Sequence, residues 1–244
     1  MALNMSLDVL LQTSSFSDAP WWLYIADGAL WTIGLTVSAF ALALSVGTVI
    51  GTLRTTDRKC VRAFCEAWIE LFRNIPLIVQ IFIWYYVVPE LIPPYKAWVV
   101  SMDPIYSQFL SAFLCLGLFT SSRIAEQVRS GISSLPKGLS NASKALGLTA
   151  VQRYRYVILP MALRIVLPPI TSEAMNLIKN TAVAITIGLP ELTMRANEMG
   201  EDTFQFFAAY VWATLIYIVI SLVVNRLLVW IEHRSAIPGF IVAK

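Results

Sequence analysis

One histidine, three cysteines and a 14% share of charged residues leave this 244-residue chain little ordinary catalytic chemistry. His233 stands by itself near the C-terminus, which excludes a His-rich metal site. Cys60, Cys65 and Cys115 fit no zinc or redox spacing and read as small apolar residues in or near membrane spans. No G-x-x-x-x-G-K-S/T phosphate loop occurs, so any ATP that drives the protein is bound by another chain. No clustered His, Cys or Ser–His arrangement supports a membrane enzyme. The basic residues are spread over several segments rather than gathered on one face, which leaves no nucleic-acid footprint. Residues 1–20 hold no Lys or Arg, so they lack the basic start of a signal peptide.

What the chain does have is apolar surface. Hydrophobic residues make up 57% of it, and soluble domains carry roughly 25% charge, well above the share found here. An integral membrane protein is the economical reading. A span needs roughly 20 residues to cross a hydrocarbon layer of about 30 Å. Five stretches meet that length, at about 28–53, 64–89, 105–132, 165–187 and 203–229. The first is uncharged, and Gly34, Gly47 and Gly51 give it a small-residue face for close packing. The second contains Pro76, which removes a backbone hydrogen bond and crowds the preceding turn. It ends in an aromatic belt of Trp84, Tyr85 and Tyr86. The fourth is the least apolar, with Glu173, Asn176, Lys179 and Asn180 inside it, and Pro168 and Pro169 are expected to set its start. Glu191, Arg195, Glu198, Glu201 and Asp202 read as a short loop before the fifth.

Orientation follows from where the bases lie. Arg54, Arg58, Lys59 and Arg62 follow the first span, and Lys137, Lys144, Arg153 and Arg155 follow the third. The other connections are acidic or nearly base-free. The chain therefore reads as a periplasmic N-terminal segment (1–27), a transmembrane domain (28–231) and a cytoplasmic tail (232–244). An odd number of spans argues against two inverted halves within one chain, so a central pathway calls for a second subunit. It also weighs against a stand-alone secondary transporter or channel, which would be the alternative class.

The segment 135–160, LPKGLSNASKALGLTAVQRYRYVILP, is the longest polar and basic stretch, and it has no acidic residue. Ser140 is an expected N-cap and Gly147 an expected C′ residue, with a short helix between them. Such a helix could dock a partner through Ala142, Ala145 and Leu146, or rest on lipid headgroups; composition does not separate the two.

A resemblance does separate them. The spacing of Ala142, Gly147, Val157, Leu159 and Pro160 resembles the cytoplasmic EAA loop of permease subunits of bacterial ABC importers, with Asn141 and Ser143 in place of Glu and Ala. The stretch ELFRNIPLIVQIFIWYYVVPEL resembles the F-R-x-x-P-L-x-V-Q signature of the polar amino-acid subclass. AEQVRSGISSLPKG and LPPITSEAMNLIKNTAVAITIGL are similar to that subclass as well, and details such as EQVR and TSEAMNLIKN look most like its glutamate/aspartate import permeases.

The resemblance implies an all-α type I ABC importer permease fold in the bacterial inner membrane. It implies no enzyme activity or cofactor on this chain. ATP and Mg would sit on two copies of a cytoplasmic ATPase, accompanied by a second, different permease and a periplasmic binding protein. It assigns ATPase coupling to Asn141, Ala142, Ser143, Lys144, Ala145, Leu146, Gly147, Leu159 and Pro160. Arg123, Glu126, Glu173, Asn176, Lys179 and Asn180 are the expected pathway residues, because an intramembrane charge costs at least ~2.5 kcal/mol and marks function. Arg123 stands where relatives moving other amino acids carry Tyr, and a guanidinium suits a second substrate carboxylate. The substrate expected from this is glutamate or aspartate, with glutamine or another polar amino acid as the alternative.

Overall fold

A computed structural model describes residues 7–235. The expectations for residues 1–6 of the N-terminal segment and 236–244 of the tail lie outside the described residues. Among the described residues there is no strand, only an isolated bridge between Thr13 and Pro20. The helices are α1 (Trp21–Leu53), α2 (Lys59–Asn74), α3 (Leu77–Leu91), α4 (Pro93–Val100), α5 (Pro104–Ser134), α6 (Lys137–Ala145), α7 (Ala150–Ile187), α8 (Leu192–Thr203) and α9 (Phe206–Ser235).

Helices α1, α5, α7 and α9 are each long and apolar enough to cross a membrane. The second expected span differs from the others. Ile75 and Pro76 are extended, with ψ of 129° and 138°, and break it into α2 and α3. Pro76 has no N–H to give, so the helix restarts after it rather than bending through it. A fifth span exists only if this broken pair counts as one.

Three other expectations need correction. The segment 191–202 is a helix rather than a loop. Pro168 and Pro169 lie inside α7 and do not begin it. Ser140 lies inside α6, whose first residue is Lys137, preceded by Pro136. Pro136 fixes φ where a helix begins, and α6 starts there with no side-chain cap.

The chain divides into two compact units, and α1, α5, α7 and α9 contribute residues to both. Among the described residues, one unit holds 7–39, 76–116 and 176–223. Its buried side chains include Trp21, Ile25, Leu35, Leu189, Leu192 and Met199. The other holds 40–75, 117–175 and 224–235. Its core joins α1, α5 and α7 through Ala43, Ile124, Val128, Val166 and Ile170. A second cluster joins α1, α2 and α5 through Ile50, Cys65, Ile69 and Ala125. The small-residue face of α1 is used here in part. A Cβ on Gly51 would fall 2.5 Å from the Ala125 carbonyl oxygen, so only glycine lets the two backbones meet. Gly34, by contrast, has nothing within 4 Å of such a Cβ.

Candidate functional site

The segment expected to dock a partner is a helix–turn–helix built from local signals. Gly147 has φ +76°, a left-handed conformation that other residues adopt only with strain. The Gly147 N–H donates to the Lys144 carbonyl (2.9 Å) and the Leu148 N–H to the Ser143 carbonyl (3.2 Å). Together these close α6 with a Schellman stop. Thr149 then opens α7 with a capping box. Its hydroxyl accepts from the Gln152 N–H, and its own N–H donates to Gln152 Oε1 at 2.9 Å.

Most of the expected coupling residues are uncovered. Asn141, Ala142, Lys144, Ala145 and Gly147 are exposed, and Leu146 is 80% exposed. Ser143 is buried and donates to the Ser140 carbonyl at 2.8 Å. Leu159 packs against the Ala43–Ile124–Val166 core, while Pro160 is exposed.

The expected pathway residues fall into three groups. Glu126 is fully engaged. Its Oε2 accepts from Arg54, and its Oε1 accepts from Arg129 at 2.6 and 3.0 Å. It ties the turn after α1 to α5, with both of its oxygens already paired to guanidinium groups.

Arg123 and Glu173 are the opposite case. They form one loose ion pair of 3.8 Å, beyond hydrogen-bond reach. The Arg123 guanidinium also lies over the Phe119 ring at 5.2 Å, and its side chain is 44% exposed. The Glu173 side chain is only 11% exposed. A buried carboxylate is costly without hydrogen bonds, and among the described residues none reaches it. Asn176, Lys179 and Asn180 belong to the other unit, further along α7. Among the described residues their side chains make no hydrogen bond or ion pair, and Lys179 is exposed.

Sequence reasoning missed a second polar network, in the unit that holds α8. Glu191 is fully buried and N-caps α8, accepting from the Thr193 and Met194 N–H groups at 2.9 Å each. The Tyr217 hydroxyl of α9 donates to it at 2.8 Å. Burial pushes the Glu191 carboxyl above the usual carboxylate range, and these donors pull it part of the way back. Arg195 binds Asp27 at 3.0 Å and Glu198 at 3.2 Å, stacks on the Tyr24 ring at 4.0 Å, and donates to the Tyr24 hydroxyl. The one usable signal was Arg195, a single base among four acids.

Residues 43–237 match the family described as "Binding-protein-dependent transport system inner membrane component". The glutamate/aspartate import permease protein GltJ of Escherichia coli K12 is 40% identical over 98% of this chain and 98% of its own length. GltK of E. coli O6:H1 (strain CFT073), also a glutamate/aspartate import permease, is 28% identical over 87% of this chain and 94% of its own. Among solved structures, a chain from a crystal structure of an amino acid ABC transporter with histidines superposes with TM-score 0.71 at 25% identity. That match covers 88% of this chain and 95% of that one.

Proposed function

The chain belongs to the family of inner membrane components of binding-protein-dependent transport systems, and on that premise we propose that glutamate or aspartate is the amino acid it passes. The chain is an amino-acid ABC importer permease of the bacterial inner membrane, with the type I fold, and not itself an enzyme. The acidic substrate rests on one observation, the Arg123–Glu173 pair. A guanidinium 3.8 Å from its partner keeps donors free for a substrate carboxylate, and Glu173 has an unmet need for donors that a substrate ammonium supplies. The 40% identity to GltJ supports the same choice.

In this reading a second, different permease completes the pathway, as similarity to both GltJ and GltK suggests. A periplasmic binding protein delivers the amino acid, and two cytoplasmic ATPases carry ATP and Mg. The N-terminus is periplasmic and the 135–160 loop is cytoplasmic, which sets the basic segments inside. Closure of the ATPases pulls α6 through its exposed Ala142, Ala145 and Leu146 face. Because α5 and α7 flank α6 in sequence, the pull tilts both and switches the side on which the pathway opens. Glutamine, the second reading, leaves Arg123 with no side-chain carboxylate to bind. The test is uptake of labelled glutamate by the reconstituted complex, with unlabelled competitors. Aspartate should compete strongly and glutamine weakly; equal competition by glutamine overturns the acidic assignment.

A further inference from the structure

A cavity of about 240 Å³ lies at the base of α6. Ile132, Leu135, Leu139 and Ile158 make its apolar wall. Its polar wall holds Lys137, Ser133 and Ser140, together with Thr55 and Tyr154. The last two are tied to each other: Thr55 Oγ1 donates to the Thr52 carbonyl at 2.7 Å and accepts from the Tyr154 hydroxyl at 3.0 Å. The Lys137 ammonium and the Ser133 and Ser140 hydroxyls have no partner among the described residues. That sets one exposed cation and two hydroxyls, none bonded to a described residue, beside an apolar wall. No acidic residue lines the cavity. Between Glu126 and Glu173 the chain carries Arg129, Lys137, Lys144, Arg153, Arg155 and Arg164 and no acid at all.

The cavity also has a defined place along the helices. Helix α1 ends at Leu53 and α5 at Ser134, so Thr55 and the 133–137 segment lie together at the ends of two long apolar helices, in the stretch that carries the basic residues. From this chemistry and place we infer that the cavity binds the phosphate headgroup of an anionic phospholipid. The phosphate takes Lys137 and the two serine hydroxyls, and the glycerol end lies on the apolar wall. The inference does not depend on which amino acid is carried. It gives the first turn of α6 a lipid footing.

The purified full-length chain in detergent, titrated with phosphatidylglycerol and read by native mass spectrometry, tests this directly. Wild type should retain phosphatidylglycerol over phosphatidylcholine. Lys137→Gln should lower that retention about fivefold, the worth of one surface cation beside an anionic lipid. Ser140→Leu, which fills the cavity, should lower it as much. Lys144→Gln, in the same helix but outside the cavity, should leave it unchanged. Lys137 is exposed, so its variant folds and decides the matter even where Ser140→Leu does not. Equal retention by Lys137→Gln, an equal loss in Lys144→Gln, or equal retention of phosphatidylcholine each overturns the site. Displacement of the lipid by millimolar glycerol phosphate would assign the cavity to a soluble phosphate instead and overturn the lipid.

Discussion

The polar network around α8 and the Arg123–Glu173 pair treat charge in opposite ways. In the unit with α8, every charge in the polar network has a partner at hydrogen-bond distance: Glu191 has three donors, and Arg195 binds Asp27 and Glu198 and stacks on Tyr24. In the unit with α6, Glu126 is paired in the same manner, but Arg123 and Glu173 are left 3.8 Å apart with no hydrogen bond. Burying a charge without satisfying it costs free energy, so an unsatisfied pair persists in a fold only where something else is served. Under the proposed function, the difference separates charges that hold the protein together from a pair open to a substrate. It also explains why counting intramembrane acids was too coarse, since Glu126 and Glu173 look alike in the sequence.

Substitutions in the two units should therefore fail in different ways. The largest effect is expected at Gly147→Asp. A side chain at φ +76° strains the turn that ends α6, so uptake should drop to background while the amount in the membrane stays normal. Normal uptake by this variant removes the docking role from α6. Glu191→Ala should do the reverse. It leaves two N–H groups without an acceptor in a buried place and takes from the Tyr217 hydroxyl one of its two partners, costing about 3 kcal/mol of stability, read as a lower melting midpoint in detergent.

Arg123→Lys should be milder, weakening apparent glutamate affinity about tenfold with no change in melting midpoint, because an ammonium cannot grip a carboxylate with two parallel bonds. A shifted midpoint with unaltered affinity would move Arg123 to the structural side of the comparison. The smallest effect concerns pH. The folded Glu191 carboxyl holds its proton more tightly than the unfolded one, whose ordinary value is 4.5. That contribution is complete below the ordinary value and is lost as pH rises toward the folded one. Glu191→Gln cannot titrate, so its stability should fall less than wild type over that rise, as melting in buffers across the range will show.

Much of this protein could be read from local pattern. Four long apolar runs became α1, α5, α7 and α9, because a run of that length must satisfy its backbone within itself in lipid. Gly147 declared the end of α6 because few other residues accept that backbone, although the start of α6 was misplaced at Ser140 when Pro136 had already set it. The helical nature of 192–203 was hidden because its cap, Glu191, is a poor signal in isolation and works only by being buried beside Tyr217.

By itself, then, the sequence determined the membrane class, the long helices and the glycine stop of α6; these follow from hydropathy, from glycine geometry and from short-range spacing. Only the tertiary structure decided which polar groups are free. Partners such as Arg54 for Glu126, 72 positions away, or Tyr217 for Glu191 come together through packing, and packing of distant segments leaves no mark in local pattern.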